Sequence, residues 1–455
     1  MKIDIIVAEI GSTTTVVNGF NGINTENPLL IGQGQSETTV LSGDVNIGLN
    51  NALDNLKKNI GAKNLEWDEF FASSSAAGGL KMTVHGLVYD MTVRAAKEAA
   101  LGAGAIIKYI TAGKLKKSDL KKIREVNPNL ILIAGGVDYG ERDTAIYNAQ
   151  LIKSLKLNTP VIYGGNIENV DDIKEIFEGS GIKLYIVDNV YPRIDELNIE
   201  PTRKVIQQAF EEHITNAPGM KRVRELVNGP IIPTPGAVME AAMSLYSEIG
   251  DLLVLDVGGA TTDIHSVTVG SDEIQRILIS PEPLSKRTVE GDIGVFVNLP
   301  NIVEKIGREK LIGEFGDLIL PFLENPKPIP ETDTEKAIIE RLTLEAIKIA
   351  LGRHAGKLRF LYGPSGKKTI AEGKDLTKVK WVIGTGGALT RLPNKVSIIK
   401  DALSSVKDTE LYPKGETCVM IDNDYIMASI GVMAKRYKKA AVCLMRKSMG
   451  FKKSE

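Results

Sequence analysis

The chain contains little cysteine, histidine or aromatic residue. Its 455 residues include 2 cysteines, 4 histidines and 5% aromatic residues. Cys418 and Cys443 lie in no C-x-x-C motif and in no cysteine and histidine cluster. We therefore expect neither a disulfide framework nor a structural zinc site. We expect the protein to work in a reducing environment.

The chain also lacks an excess of charge and a long apolar run. It carries 56 lysines and arginines against 57 acids, a net charge of -1, so no global basic field favours nucleic acid. The first residues, MKIDIIVAEIGS, are interrupted by Asp4 and Glu9 and do not resemble a signal peptide. No segment has the uninterrupted apolar length of a membrane span. We therefore expect a cytoplasmic protein that binds neither nucleic acid nor a membrane.

What the chain does contain is typical of a globular protein of more than one domain. Hydrophobic residues make up 43% and charged residues 25% of the sequence, a balance typical of folded domains. A length of 455 residues exceeds what one hydrophobic core usually supports. Two or three domains are expected.

A motif of an acid, two glycines and two threonines stands out in residues 252–267, LLVLDVGGATTDIHSV. A run of apolar residues ends at Asp256, Gly258 and Gly259 permit a sharp turn, and Thr261 and Thr262 open a second strand. This order predicts a β-hairpin. The turn amides and threonine hydroxyls suit phosphate oxygens, and the carboxylate suits Mg²⁺. An ordinary tight hairpin is the alternative interpretation.

The same motif occurs near the amino terminus, in IIVAEIGSTTTVV. Glu9, Gly11, Ser12, Thr14 and Thr15 align without a gap with the five residues of the first motif. A duplicated hairpin is what a nucleotide clamp between two related lobes requires.

Between the two motifs, strands alternate with helical segments over residues 114–210. This alternation predicts a parallel sheet with helical covers, that is, a separate α/β module. The glycine pairs that begin at Gly135 and Gly164 each follow a strand, at the edge where open α/β sheets bind ligands. Neither pair belongs to a G-x-G-x-x-G motif, which favours packing or partner contact for the module.

A third glycine turn, in VKWVIGTGGALTRL, follows a buried strand near the carboxyl terminus. Gly384, Gly386 and Gly387 carry no side chains, so an adenine or ribose can lie against the backbone of this turn.

Five segments in fixed order resemble the superfamily of actin, sugar kinases and heat-shock ATPases. They are EIGSTTT, TPGAVMEAAMSL, LDVGGATTDIH, IGTGGALTRL and YIMASIGVMA. The resemblance implies an α/β, two-lobed actin-like ATPase fold, a duplicated ribonuclease H-like fold, with an inserted α/β module. The expected divisions are residues 1–113 for the first part of lobe I, 114–210 for the inserted module, 211–250 for the return to lobe I, 251–427 for lobe II, and 428–455 for a carboxyl-terminal helix returning to lobe I with a basic tail.

More narrowly, AEIGSTTT, KRTVEGDIG, GRHAG and WVIGTGGALTRL resemble the MutL (GlmL) family associated with cobalamin-dependent glutamate mutase. That resemblance implies an ATP-binding chaperone-like or reactivating factor with ATP and Mg²⁺ as cofactors. It implies glutamate mutase, or its cobalamin-binding subunit, as the partner.

The expected site combines two carboxylates with three glycine turns. Glu9 and Asp256 are the expected catalytic and metal-binding residues. The expected nucleotide-binding residues are Gly11, Ser12, Thr13, Thr14, Gly258, Gly259, Thr261, Thr262, Gly384, Gly386 and Gly387. Many members of the superfamily place aspartate where this chain has Glu9, and the extra methylene displaces the carboxylate by roughly a bond length. Slow hydrolysis, suited to a conformational switch, is the expected consequence.

Two other functions are compatible with these motifs. A small-molecule kinase of the same superfamily would transfer phosphate to an acceptor, but no acceptor base is evident in the sequence. A scaffold protein would bind nucleotide for assembly.

Overall fold

The computed structural model describes residues 1–39, 43–75, 79–214, 218–327, 329–363, 366–404 and 408–451. Within these ranges the chain forms both strands and helices. The strands are β1 (Lys2–Ile10), β2 (Thr14–Asn21), β3 (Leu29–Glu37), β4 (Glu66–Ser74), β5 (Lys81–Gly86), β6 (Ile106–Ala112), β7 (Leu130–Ile133), β8 (Val161–Tyr163), β9 (Leu184–Ile186), β10 (Ile232–Pro233), β11 (Leu252–Val257), β12 (Thr262–Val267), β13 (Ser285–Glu290), β14 (Lys357–Gly363), β15 (Gly366–Glu372), β16 (Trp381–Thr385) and β17 (Cys418–Ile421).

The helices cover the sheets and connect them. They are α1 (Val45–Asn59), α2 (Arg94–Gly102), α3 (Lys117–Val126), α4 (Asp143–Ser154), α5 (Val170–Phe177), α6 (Glu200–Ile214), α7 (Met220–Leu226), α8 (Thr234–Ile249), α9 (Asp272–Gln275), α10 (Leu299–Ile306), α11 (Arg308–Phe315), α12 (Leu320–Glu324), α13 (Asp333–His354), α14 (Gly386–Arg391), α15 (Lys395–Ser404), α16 (Met427–Ala434) and α17 (Lys438–Ser448). No helix in the described ranges is both long enough and apolar enough to cross a membrane.

Two five-stranded sheets share one topology. The first has the order β10-β4-β1-β2-β3 and the second the order β17-β16-β11-β12-β13. In each sheet, three consecutive strands are antiparallel and the remaining two run parallel to the first of them. The predicted duplication and both predicted hairpins are confirmed. So is the predicted two-lobed actin-like fold with an inserted α/β module.

The strands that lead into the two hairpin turns are central in their sheets. β1 and β11 carry the apolar runs IIVA and LLVL, and their residues are almost all buried. A strand covered on both faces needs a continuous apolar sequence rather than an alternating one. Each turn therefore emerges from the interior of its lobe at a fixed place.

A third sheet, with order β6-β5-β7-β8-β9, forms the inserted module, and all its strands are parallel as predicted. Its first strand begins at Lys81, well before the expected division at residue 114. Met82 of β5 pairs with Leu130 of β7, and such long-range pairing leaves no local mark in the polar sequence KMTVHG. Residues 81–113 therefore contribute two strands to the module sheet rather than to the sheet of lobe I.

One helix crossing joins the two lobes. α8 precedes β11, and α16 follows β17 and packs on β1 and β4 of lobe I. At the crossing, a Cβ on Gly431 would lie 1.7 Å from the carbonyl oxygen of Ala237. Only glycine permits this approach. The helix that ends the described chain, α17, also contacts α8 and α16. Of the basic tail, residues 452–455 lie outside the described ranges.

In lobe II, a buried histidine holds the end of the longest described helix to its sheet. His354, the last residue of α13, is 1% exposed. Its Nδ1 lies 2.8 Å from Thr288 Oγ1 and its Nε2 lies 2.8 Å from Ser266 Oγ. Burial, together with the nearby Lys374 and Lys286, lowers the pKa of His354 well below its usual value. The imidazole is therefore neutral in the folded protein.

Replacing His354 by glutamine should make stability less dependent on acid. Below pH 6.5 the unfolded chain protonates this histidine and the folded protein does not, so the wild type loses stability as the pH falls. The difference in unfolding free energy between wild type and His354→Gln should change by about 1.4 kcal/mol per pH unit below pH 6.5. Urea unfolding at pH 7.5, 6.0 and 5.0 measures this slope. A difference in unfolding free energy between the two proteins that is the same at all three pH values would contradict a neutral buried imidazole.

Candidate functional site

A cleft between the two lobes is lined by the turns of both hairpins. Its empty space is about 1370 Å³, including the part open to solvent. The lining residues include Glu9, Gly11, Ser12, Thr13 and Thr14 from lobe I, and Asp256, Gly258, Gly259, Thr261 and Gly387 from lobe II. Ten residues of the predicted site are thus brought together from three distant segments.

Each of the two turns is closed by an equivalent hydrogen bond. Gly11 N–H donates to the Thr14 carbonyl at 2.9 Å, and Gly258 N–H donates to the Thr261 carbonyl at 2.9 Å. The turn of lobe II is held further by the segment that follows β13, because the amides of Val295 and Phe296 donate to its carbonyl groups at 3.2 and 2.9 Å. Equivalent turns from related lobes therefore meet across one cleft.

Two carboxyl groups lie at the ends of the strands that feed these turns. Burial raises the pKa of Glu9 to about 7, against an opposing hydrogen bond from Tyr425 and with some contribution from Asp422. Burial, the carboxylate of Asp263 and Glu9 raise the pKa of Asp256 well above its usual value. Both groups are carboxyl groups whose negative charge is poorly compensated by the protein.

A tyrosine that follows β17 orients Glu9. Tyr425 Oη donates to Glu9 Oε1 at 3.2 Å, and Tyr425 itself has a left-handed backbone conformation with φ of 52°. Asp422, fully buried three residues earlier, accepts hydrogen bonds from the amides of Ile426 and Met427 at the start of α16. The sequence analysis missed both residues. The sequence of their segment, IDNDYIM, indicates that a strand ends near two aspartates. It does not indicate that the segment reaches Glu9.

A third carboxylate in the cleft is neutralised by a buried arginine. Arg287 is 1% exposed, and its Nη2 and Nε lie 2.6 and 2.8 Å from Asp263 Oδ1. Its Nη1 donates to the carbonyls of Leu101 and Ala105 at 3.2 Å, where α2 ends. Lys286 and Arg287, the two cations that open the segment KRTVEGDIG, lie in β13, and both are buried.

Three predicted nucleotide-binding residues do not line the cleft. Thr262 is buried within β12, and its hydroxyl has no hydrogen-bond partner in the described structure. Gly384 lies inside β16, where a Cβ would meet Ile399 and Ile421. Gly386 has φ of 84°, and a Cβ there would lie 2.5 Å from Asp256 Oδ1. Gly386 therefore serves the site indirectly, by allowing the turn before α14 to approach Asp256.

Cations at the rim of the cleft complete its surface. Lys327, Lys336 and Arg391 line it, and Arg391 also contacts the side chain of Gln35 from lobe I. Sequence reasoning did not identify these residues, because isolated lysines and arginines in helices and loops carry no local signal. The charges of Lys327 and Lys336 are shared with acids of the same segment, because Lys327 pairs with Glu331 and Glu335 and Lys336 pairs with Asp333.

The residues of the cleft fit a magnesium nucleotide. Within the described ranges no group of three or more histidines, cysteines or acids forms a metal cage. Mg²⁺ does not require one, because it usually keeps several waters and takes one or two carboxylates together with phosphate oxygens. Glu9 and Asp256 are the residues suited to hold the ion, because both carboxyl groups line the cleft. The two turns are suited to phosphate, and Arg391 lines the same cleft.

Comparison with known proteins places the chain among relatives of the same length. The family model described as MutL protein matches residues 5–449. A curated relative, Protein MutL of Clostridium tetanomorphum, is 35% identical over 458 residues, covering 97% of this chain and 98% of the relative.

Solved structures with a similar arrangement share little sequence with the chain. A nucleotide-free acetone carboxylase has a TM-score of 0.41 and 11% identity, covering 95% of this chain and 70% of that chain. A nucleotide-free diol dehydratase-reactivating factor has a TM-score of 0.40 and 11% identity, covering 96% and 100%. The family assignment depends on the sequence comparisons, and on their strength the chain belongs to the MutL family.

Proposed function

We propose that this protein is an ATP-dependent reactivating factor for a cobalamin-dependent mutase, with glutamate mutase as the client. One observation supports the nucleotide-dependent part of the proposal above the others. Two equivalent turns, one from each lobe, line a single cleft together with Glu9 and Asp256. The choice of client is supported by membership of the MutL family and by the resemblance of the motifs to the family associated with glutamate mutase.

In the proposed mechanism of ATP hydrolysis, the protein positions the nucleotide and forms no covalent bond with it. Amides and hydroxyls at Ser12, Thr13 and Thr261 contact the phosphates, and Gly387 lies under the nucleoside. Bound Mg²⁺ would neutralise phosphate charge and polarise the terminal phosphate. Phosphoryl transfer asks little covalent chemistry of a protein, so placement and charge suffice. Glu9, held by Tyr425, orients the attacking water.

A hydrogen-bonded path connects this cleft with the inserted module. Asp263 lines the cleft, and Arg287 binds Asp263. The same guanidinium holds the carbonyls of Leu101, at the end of α2, and Ala105, just before β6. A change of lobe angle at the cleft is transmitted by this path to the module. A client that binds one lobe angle more tightly is captured or released as the nucleotide changes.

The decisive experiment uses purified protein and glutamate mutase inactivated by turnover. ATP hydrolysis is measured with and without the mutase, and mutase activity is followed after ATP, Mg²⁺ and fresh cobalamin are added. We expect stimulated hydrolysis and recovered mutase activity that both require ATP. Absence of both effects would exclude this function. Transfer of labelled phosphate from ATP to a small acceptor would instead indicate a kinase, and ATP-dependent sedimentation a scaffold.

Replacing Gly387 by valine should weaken nucleotide binding without harming the fold. No heavy atom lies within 4 Å of a Cβ built on Gly387, so the new side chain is accommodated and projects into the space assigned to the nucleoside. We expect the Kd for a magnesium complex of a non-hydrolysable ATP analogue, measured by calorimetry, to rise at least about tenfold, the loss of roughly 1.4 kcal/mol.

A matched control for this variant is Gly313→Val. Gly313 is also a helical glycine with open space around its Cβ, but it lies in α11 and does not line the cleft. It should leave the Kd unchanged. Equal binding by Gly387→Val and wild type would remove Gly387 from the nucleotide site.

A further inference from the structure

Three loops meet at one edge of the module sheet. They are residues 134–142 after β7, 164–169 after β8 and 187–198 after β9, and together they are called the carboxyl-edge loops. β7, β8 and β9 are adjacent and parallel, so their carboxyl ends share one edge of the sheet. Open α/β sheets use this edge for binding. The proposed nucleotide site lies elsewhere, between the other two sheets.

Each carboxyl-edge loop exposes one large apolar side chain. Tyr139 is 79% exposed, Ile167 is 55% exposed and Ile194 is 70% exposed. A single exposed apolar residue is ordinary, but several brought together mark an interaction site.

One aspartate binds the three loops to each other. Asp138 Oδ1 accepts hydrogen bonds from Ile167 N–H and from Asn189 Nδ2, both at 2.9 Å. Asp138 N–H donates to the carbonyl of Pro192 at 2.9 Å. The three loops that carry the exposed apolar residues therefore meet around Asp138, although Ile194 lies 55 positions after Tyr139 in the sequence.

Two residues of these loops have a backbone conformation that side chains disfavour. Tyr139 has φ of 61° and Asp195 has φ of 63°, a region that costs roughly 1–2 kcal/mol for a residue other than glycine. Hydrogen bonds hold both in place, from Tyr139 N–H to Asn166 Oδ1 at 3.1 Å and from Asp195 N–H to Tyr191 Oη at 2.8 Å. Such strain persists mainly where a fixed display of residues is useful. A preordered surface loses less entropy when it binds.

The net negative charge around the three apolar residues indicates what kind of partner can bind there. The carboxyl-edge loops contain six acids and two cations, whereas the whole chain is balanced, with 57 acids and 56 cations. An acidic surface repels nucleic acid and anionic lipid. A second copy docked through the same face would oppose acid with acid. The surface therefore fits a basic protein face with apolar depressions.

We propose that the carboxyl-edge loops are the docking surface for the client enzyme. Tyr139, Ile167 and Ile194 enter apolar depressions of the client, and the surrounding carboxylates pair with its basic residues. This inference rests on the proposed function, since it takes the mutase as the client.

Crosslinking from the centre of the surface tests this assignment. Tyr139→p-benzoylphenylalanine is irradiated with purified glutamate mutase, and Tyr362→p-benzoylphenylalanine serves as the matched control. Tyr362 is 78% exposed but belongs to β14 in lobe II. We expect a crosslink to a mutase subunit from position 139 and none from position 362.

A second measurement compares affinities. The double variant Ile167→Ser/Ile194→Ser should bind immobilised mutase at least tenfold more weakly than wild type, with basal ATP hydrolysis unchanged. The double variant Ile279→Ser/Leu318→Ser, at residues 51% and 70% exposed in lobe II, should bind normally. Wild-type affinity should fall as sodium chloride rises from 50 to 300 mM, since opposite surface charges are screened.

The outcomes separate the two proposals. If wild type binds the mutase and the Ile167 and Ile194 variant binds it equally well, the docking surface is wrong and the proposed function stands. If wild type does not bind the mutase, both are wrong. A crosslink from position 139 to a second copy of this chain would replace client docking with self-association.

Discussion

Asp256→Asn should lower Mg²⁺-dependent ATP hydrolysis about 100-fold or more. The carboxylate ends β11 beside the turn of lobe II, and asparagine retains its size but not the charge needed to hold a hard cation. The fold should not suffer. Burial and the charges of Asp263 and Glu9 raise the pKa of Asp256, so the native protein gains nothing from this charge. Phosphate release measured over hours and urea unfolding measure the two effects.

Asp401→Asn is the control for this variant. Asp401 is an exposed aspartate of the same lobe, in α15, and its replacement should change neither quantity. Undiminished hydrolysis by Asp256→Asn would show that another group holds the metal ion, and Glu9→Gln would then be the next variant to measure.

Arg287→Met should destabilise the protein by about 3–5 kcal/mol, the usual cost of leaving one partner of a buried ion pair without the other. Asp263 is 3% exposed and would keep its carboxylate without a guanidinium. The carbonyls of Leu101 and Ala105 would also lose their donor. The midpoint of urea unfolding should therefore fall well below that of wild type.

The double variant Arg287→Met/Asp263→Asn should recover much of this loss, because it removes the unpaired charge. A surface pair supplies the control, since Arg359→Met breaks a bridge to Glu372 whose partners are 64% and 43% exposed and should cost less than about 1 kcal/mol. Equal unfolding free energies for Arg287→Met and Arg359→Met would show that the buried pair contributes no more than an exposed one.

The local parts of the site could be predicted from the sequence. Both hairpins follow from an apolar strand, an acid and glycines at fixed spacing, and the hydrogen bond that closes each turn spans only three residues. The alternation of short strands and helices likewise predicted the parallel sheet of the module. These features depend on interactions between residues close in the chain.

The parts that sequence reasoning missed depend on distant contacts. Tyr425 reaches Glu9 across 416 residues. Most arginines are solvated, but β13 pairs with β12 and places Arg287 opposite His265 in the interior. β5 belongs to the module sheet because it pairs with β7. The six residues of β5 show no periodicity that would predict this pairing.

The contact between Gly431 and Ala237 limits how the molecule can move. Where α8 and α16 cross, the backbones touch without room for a methyl group, so neither helix can slide along the other. We expect the two helices to rotate about this contact rather than slide, since rotation leaves the distance between the two backbones unchanged there. A small rotation there would move the ends of the lobes that lie farthest from the crossing by the largest distance.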